Sequence, residues 1–244
     1  MGSATGPMWP MRISLPLVSL RPDENTTPKV ARAAAMISAS LMPAGTRTAV
    51  QVGAAPGLTI MAVSDRAWRH IEANPKAPFA SVLSLKDWKN AWSKEKDFPF
   101  TPSVAEMNGL DGALDQYLAE GPENVWRRHA LTARACRAGV KAMGLELWAK
   151  TESIASPTCT AVRVPAGVND EELLKAARAE FGVVFSSGRS ETKGKLIRIG
   201  HMGPVAEPIY ATVALTALGG ALRRLGRKVD VAAGIDAALQ VIQG

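Results

Sequence analysis

The chain has 244 residues, 47% of them apolar, and a formal net charge of +7, enough to bury a core in one large or two small domains. Two cysteines, Cys136 and Cys159, and three dispersed histidines, His70, His129 and His201, provide neither a disulfide framework nor a metal-ligand spacing, so a reducing, cytoplasmic setting is the default. The positive residues are scattered among acids with no basic arm, which argues against nucleic acid, and the uncharged run Pro208 to Leu222 is too short to cross a membrane.

Residues 1–49 have a texture of their own. Met1 to Pro10 is Gly/Pro-rich, Arg21 to Pro28 is turn-like, and Lys29 to Leu41 is an Ala-rich helix candidate closed off before Pro43. Leu58 to Val63 is a continuous apolar run, expected as a strand covered on both faces. Ser64 is placed to cap a helix over Asp65 to Ala73. A loop with Trp88, Trp92 and the charged Lys94 to Asp97 follows. Ser103 with Glu106 three residues on matches a capping box, and Val104, Met107, Leu110, Leu114 and Leu118 recur at helical spacing, so one side of that helix is expected to be buried.

Gly121-Pro122 opens a further helix, with proline at its favoured first position, running to Met143 and ending at Gly144. Arg127, Arg134 and Lys141 share one face of it, read as a solvated face. Leu145 to Ala149 and Thr158 to Val164 read as strands. Asn169 caps a helix over Asp170 to Glu180. Val183 to Phe185 and Leu196 to Ile199 read as adjacent strands joined by a polar, Gly-bearing connection, and helices over Ala206 to Leu225 and Val229 to Ile242 close the chain. The order from residue 121 is α-β-β-α-β-β-α-α, an α/β arrangement whose economical packing is a small mixed or antiparallel sheet backed by helices.

Two arginines break the pattern of the last strand pair. Arg189 follows Gly188 in the connection, and Arg198 stands inside the second apolar run. Period-2 geometry puts Leu196, Arg198 and Gly200 on one face and Ile197 and Ile199 on the other. A guanidinium keeps its charge, so a half-buried one needs an anion or several acceptors. Two readings follow: a clamp for a substrate anion, or an internal salt bridge or snorkelling side chain.

Ala55-Pro-Gly-Leu-Thr59, Phe98-Pro-Phe-Thr-Pro-Ser103, Gly121-Pro-Glu123, Phe185-Ser-Ser-Gly-Arg189 and Ile197-Arg-Ile-Gly-His-Met-Gly203 together resemble the class V, fold-type-I aminotransferases, from about Gly53 to the C-terminus. The resemblance implies a fold of a large domain with a mostly parallel sheet followed by a small C-terminal α/β domain. Residues 50–120 would be a remnant of the large domain, 121–244 the small one, and 1–49 a poorly ordered leader without a counterpart. It implies an amino-group transfer between pyridoxamine, or an amino acid, and a small 2-keto acid such as pyruvate or glyoxylate. The pyridoxal or pyridoxamine form of vitamin B6 would be cofactor or substrate. Arg198 maps to the arginine that binds the substrate carboxylate and Arg189 to a second arginine at that end of the site. Thr101 maps to a residue reaching the cofactor phosphate of a neighbouring subunit, which implies a homo-oligomer. With the family in view, the clamp is the expected role of Arg198.

The family's aldimine lysine stands seven residues before the glycine of Pro-Gly-Leu-Thr. Counting back from Gly57 reaches Val50, and a valine forms no Schiff base. The expectation is therefore a truncated family member without turnover of its own. The alternative is a non-catalytic, anion-binding module that associates with a full-length homologue. Leu58 to Val63 and the face of Leu110 and Leu114 are expected to lie open.

Overall fold

The computed structural model describes residues 46–48, 52–54, 57–61, 63–91 and 98–244. The expected Lys29 to Leu41 helix, Val50, Trp92 and the Lys94 to Asp97 patch lie outside them. The chain divides into two compact units, one ending at Ala119 and the other beginning at Glu120.

In the first unit, strand β1 (Thr46–Thr48) pairs antiparallel with β2 (Thr59–Met61). The apolar run from Leu58 thus forms a shorter strand than expected. Helix α1 (Asp65–Ala73) starts where Ser64 Oγ accepts the amide of Ala67, and α2 (Leu85–Asn90) where Ser84 Oγ accepts that of Asp87. Trp68 of α1 and Trp88 of α2 meet in a small core with Val63, Ile71, Val82, Leu85 and Phe100. The indole N–H of Trp88 donates to Val82 O at 3.0 Å, so the ring buries its area without stranding its donor. Helix α3 (Val104–Glu120) buries Leu114 and Tyr117 but leaves Val104 59% exposed. Of the surfaces expected to lie open, Leu58 and Leu114 are buried and Val63 and Leu110 partly so. The exposed apolar groups are instead Phe79, Leu83, Phe98 and Val104.

The second unit is built on α4 (Pro122–Ala142), a 21-residue helix that packs against α6 (Pro208–Arg224) and α7 (Val231–Gln243). Small residues let these axes approach. A Cβ on Gly139 would lie 2.2 Å from Leu215 Cδ1 and 2.7 Å from Gly234 O. The remaining helix, α5 (Asp170–Phe181), is capped by Asn169 Oδ1 on Glu172 N and stopped by Gly182 in the left-handed region, which glycine enters without a Cβ penalty.

The sheet has three antiparallel strands in the order β3 (Cys159–Arg163), β5 (Leu196–Gly200), β4 (Ser186–Ser187). Leu147 adds a single bridge to Val162; the expected strand over Leu145 to Ala149 does not otherwise form. Nor does the one over Val183 to Phe185. The amide of Val183 still donates to Ala177 O in the helix terminus, and Phe185 drops into the core, so pairing begins only at Ser186. Val162, Ile197 and Ile199 face the helices with Leu173, Leu215, Leu218 and Leu222 in one core. Helix α6 starts at Pro208 rather than Ala206 because Gly203–Val205 forms a separate 3-10 turn.

Candidate carboxylate site on the outer face of the sheet

Alternation along β5 decides which groups meet the helices and which do not. Ile197 and Ile199 are buried in the helical core, and Arg198 between them points to the outer face, half-buried. Because β5 is central, Arg198 is flanked on both sides: Ala161 of β3 and Ser186 of β4 are its register partners. Cys159 and Arg163 share that outer face with Ala161.

The two outer-face guanidiniums differ in what holds them. Arg163 lies 3.7 Å from a Glu146 carboxylate oxygen and stacks 4.4 Å from the Trp148 ring centroid. Arg198 donates from Nε to Ser187 O at 3.1 Å, and among the described residues it meets no carboxylate within 4.0 Å. Its fork is thus fixed at one nitrogen, with the terminal pair left to donate to two oxygens of an anion. The internal salt bridge is not formed among the described residues.

Arg189 is exposed and held by its backbone. Its amide donates to Thr192 Oγ1 at 2.9 Å, that hydroxyl donates to Arg189 O at 2.7 Å, and the Gly188 amide donates to Leu196 O at 2.9 Å. A side chain on Gly188 would meet Thr192 O at 1.9 Å. The arm carrying Arg189 therefore continues the β4–β5 pairing, which places it next to the strand of Arg198. Thr101 is exposed just before α3, in the first unit. Val50 is outside the described residues.

Residues without an expected role hold the exit of β5. The His201 amide donates to Thr158 O at 3.0 Å. His129 Nδ1 donates to Val125 O at 2.7 Å, and its Nε2 accepts the Gly203 amide at 3.1 Å. Arg128 donates to Gly203 O at 2.9 Å and Ala206 O at 3.1 Å, and Thr132 Oγ1 donates to Ala206 O at 2.9 Å. Glu120 grips Arg128 with both oxygens at 2.7 and 2.8 Å, and Glu207 adds a contact at 3.2 Å. The hydrogen bond from Arg128 holds the Glu120 carboxyl below its usual range. Burial lowers His129 and pushes His201 down to about 4. His201 Nε2 lies 2.9 Å from Thr160 Oγ1. The α4 contacts span 74 to 78 residues of sequence, and no local pattern announces them.

A small carboxylate fits this donor set. Among the described residues every lysine is at least partly exposed, so none of them has the desolvated setting that activates a Schiff-base amine. Among the described residues no three metal-ligating side chains cluster, and no helix is long and apolar enough to cross a membrane.

A small antiparallel sheet backed by helices in this order matches part of the fold-type-I aminotransferases. Over its matched residues the chain belongs to the class V aminotransferases of that fold. It is 68% identical over 191 residues to the pyridoxamine–pyruvate transaminase of Mesorhizobium japonicum, a match covering 78% of this chain and 49% of that protein. It is 31% identical over 183 residues to the L-aspartate–glyoxylate aminotransferase of Paracoccus denitrificans, covering 75% and 45%. Among solved structures, the pyridoxamine–pyruvate aminotransferase of Mesorhizobium loti superposes with a TM-score of 0.76 at 67% identity, over 79% of this chain and 49% of that one. The chain thus spans about half the length of the curated relatives it matches. No family model matches it.

Proposed function

We propose that this chain supplies the substrate-carboxylate half of an aminotransferase site, taking a small 2-keto acid such as pyruvate or glyoxylate as amino acceptor. The amino donor is pyridoxamine or an amino acid, as the similarity to pyridoxamine–pyruvate and glyoxylate aminotransferases supports. Residues 50–120 and 121–244 correspond in this reading to the end of the large domain and to the small domain. The observation that carries the proposal is the Arg198 guanidinium, anchored at Nε and unpaired by any described acid.

Arg198 binds the carboxylate by its two terminal nitrogens. Arg189, on the arm beside it, adds positive potential where the keto acid enters. A vitamin B6 compound, as substrate or cofactor, supplies the electron sink for moving the amino group. Thr101 serves the phosphate end from a neighbouring subunit, so the working unit is a homo-oligomer in the cytoplasm. Turnover by this chain alone is not expected, because Val50 stands where the family places its lysine.

Isothermal titration with pyruvate tests the reading. Arg198→Gln removes a charge-assisted pair worth about 2 kcal/mol, so affinity falls roughly thirty-fold. Equal heats for wild type and Arg198→Gln would overturn it. The second reading, an anion-binding module that associates with a full-length homologue, is favoured by the same unpaired guanidinium. It predicts that the chain co-elutes with a full-length homologue in size-exclusion chromatography, and absence of co-elution would remove it.

A further inference from the structure

On one side β5 is paired along its whole length by β3, but on the other, where the Arg198 Nε is anchored, β4 offers only two residues, Ser186 and Ser187. The strand's other restraint is its exit. From His201 to Ala206 the backbone leaves the sheet, turns through Gly203–Val205 and enters α6. Three side chains of α4, on adjacent turns of the longest helix, bind that turn: Arg128 and Thr132 at its carbonyls, His129 at its amide.

We propose that His129 and Arg128 are positioning residues for the carboxylate site, holding the exit of β5 against α4 so that the Arg198 fork stays aimed at its anion. This inference rests on the reading of Arg198 as the carboxylate ligand. Neither residue touches substrate; both act through the turn.

The tautomer of His129 gives the proposal a distinctive signature. Nδ1 lies 2.7 Å from a carbonyl oxygen, Val125 O, so it carries the proton. Nε2 is then the acceptor for the Gly203 amide, which requires a neutral ring. Protonation would set an N–H at Nε2 against the N–H of Gly203 and break the tether. The groups facing His129 are Arg128 on its own helix, Glu120 at the end of α3, Glu207 at the start of α6 and His201 in the turn. The two acids are ion-paired with Arg128 and burial lowers the ring, so the ring is neutral at pH 7.5 and gains its proton only on the acid side of the usual imidazole range as the solution is acidified. Pyruvate stays ionised throughout.

The experiment is pyruvate titration calorimetry on the full chain between pH 7.5 and 5, with circular dichroism to confirm folding. His129→Leu removes the acceptor and is expected to bind pyruvate about ten-fold more weakly at pH 7.5. His129→Gln keeps an acceptor oxygen at the place of Nε2 and cannot titrate. It is expected to bind within about two-fold of wild type at pH 7.5, and to lack the acid-side weakening that wild type shows. His129→Leu binding as wild type does, or identical pH slopes for wild type and His129→Gln, would overturn the proposal. Loss of binding in Arg198→Gln alongside such a result would leave the carboxylate reading standing and remove only the role of His129. Retention of binding in Arg198→Gln would remove both.

Discussion

Arg137 is 7% exposed and points from the middle of α4 to Glu152 at 2.7 Å and Ser156 O at 3.2 Å. It pins the loop between α4 and β3, and its hydrogen bond keeps the Glu152 carboxyl below its usual range. Arg137→Ala leaves a cavity and an unanchored loop, and is expected to cost about 2–3 kcal/mol in urea unfolding. His201 adds a pH term. Its folded value, about 4, lies below the unfolded value near 6.5, so the folded state binds fewer protons through that window. Stability from this group is present above about pH 6.5 and is lost as pH falls towards 4. For a ring this buried the loss amounts to about 3 kcal/mol, and His201→Gln should flatten the stability profile between those limits. The two thiols also separate: Cys136 is fully buried and raised to about 11. Cys159 is raised by burial but eased by the nearby Arg198 charge. Iodoacetamide at pH 7.5 should label Cys159 alone in the native protein, read by mass spectrometry.

At the scale of elements, boundaries set by local chemistry were legible in the residues. Ser64 and Asn169 cap where they were expected to, and Gly144 follows its helix in the left-handed region as expected; Gly182, which the sequence did not single out, does the same. The face of Arg198 followed from alternation along β5. The lost strand over Val183 to Phe185 was not legible, because its apolar residues serve a helix terminus and the core rather than a ladder, a choice made by tertiary packing. Nor was the α4 grip on the β5 exit, whose partners lie 74 residues apart. The seven-spaced row of Arg127, Arg134 and Lys141 is solvated, as read, while Arg128 and Arg137 beside it are engaged. Gly188 is the element-scale test. A Cβ there would strike a backbone oxygen, so Gly188→Ala must shift the β4 arm. Pyruvate affinity should drop at least several-fold in calorimetry while the helical far-ultraviolet signal is retained.

For the whole molecule, the division at Ala119 and Glu120 predicts more than one cooperative transition. Helix packing through Gly139 belongs to the second unit alone, and Gly139→Ala puts a methyl against Gly234 O and Leu215. Overpacking of that kind costs about 1–3 kcal/mol. Differential scanning calorimetry should therefore show one transition moving to lower temperature in this variant and the other staying in place. A single transition that moves as a whole would show that the units unfold together. Three of the five motifs that carried the family resemblance hold a residue restricted by geometry: Gly121 and Gly203 take positive φ, and Gly188 packs against Thr192 O.

One of the two outer strands of the sheet, β4, is only Ser186–Ser187. A ladder that short offers a stranger's backbone almost nothing to zip onto. The arginine stands one strand inward, behind this abbreviated margin. That edge is thereby protected from cross-chain β addition, and insertions that lengthen it should raise aggregation, read by light scattering.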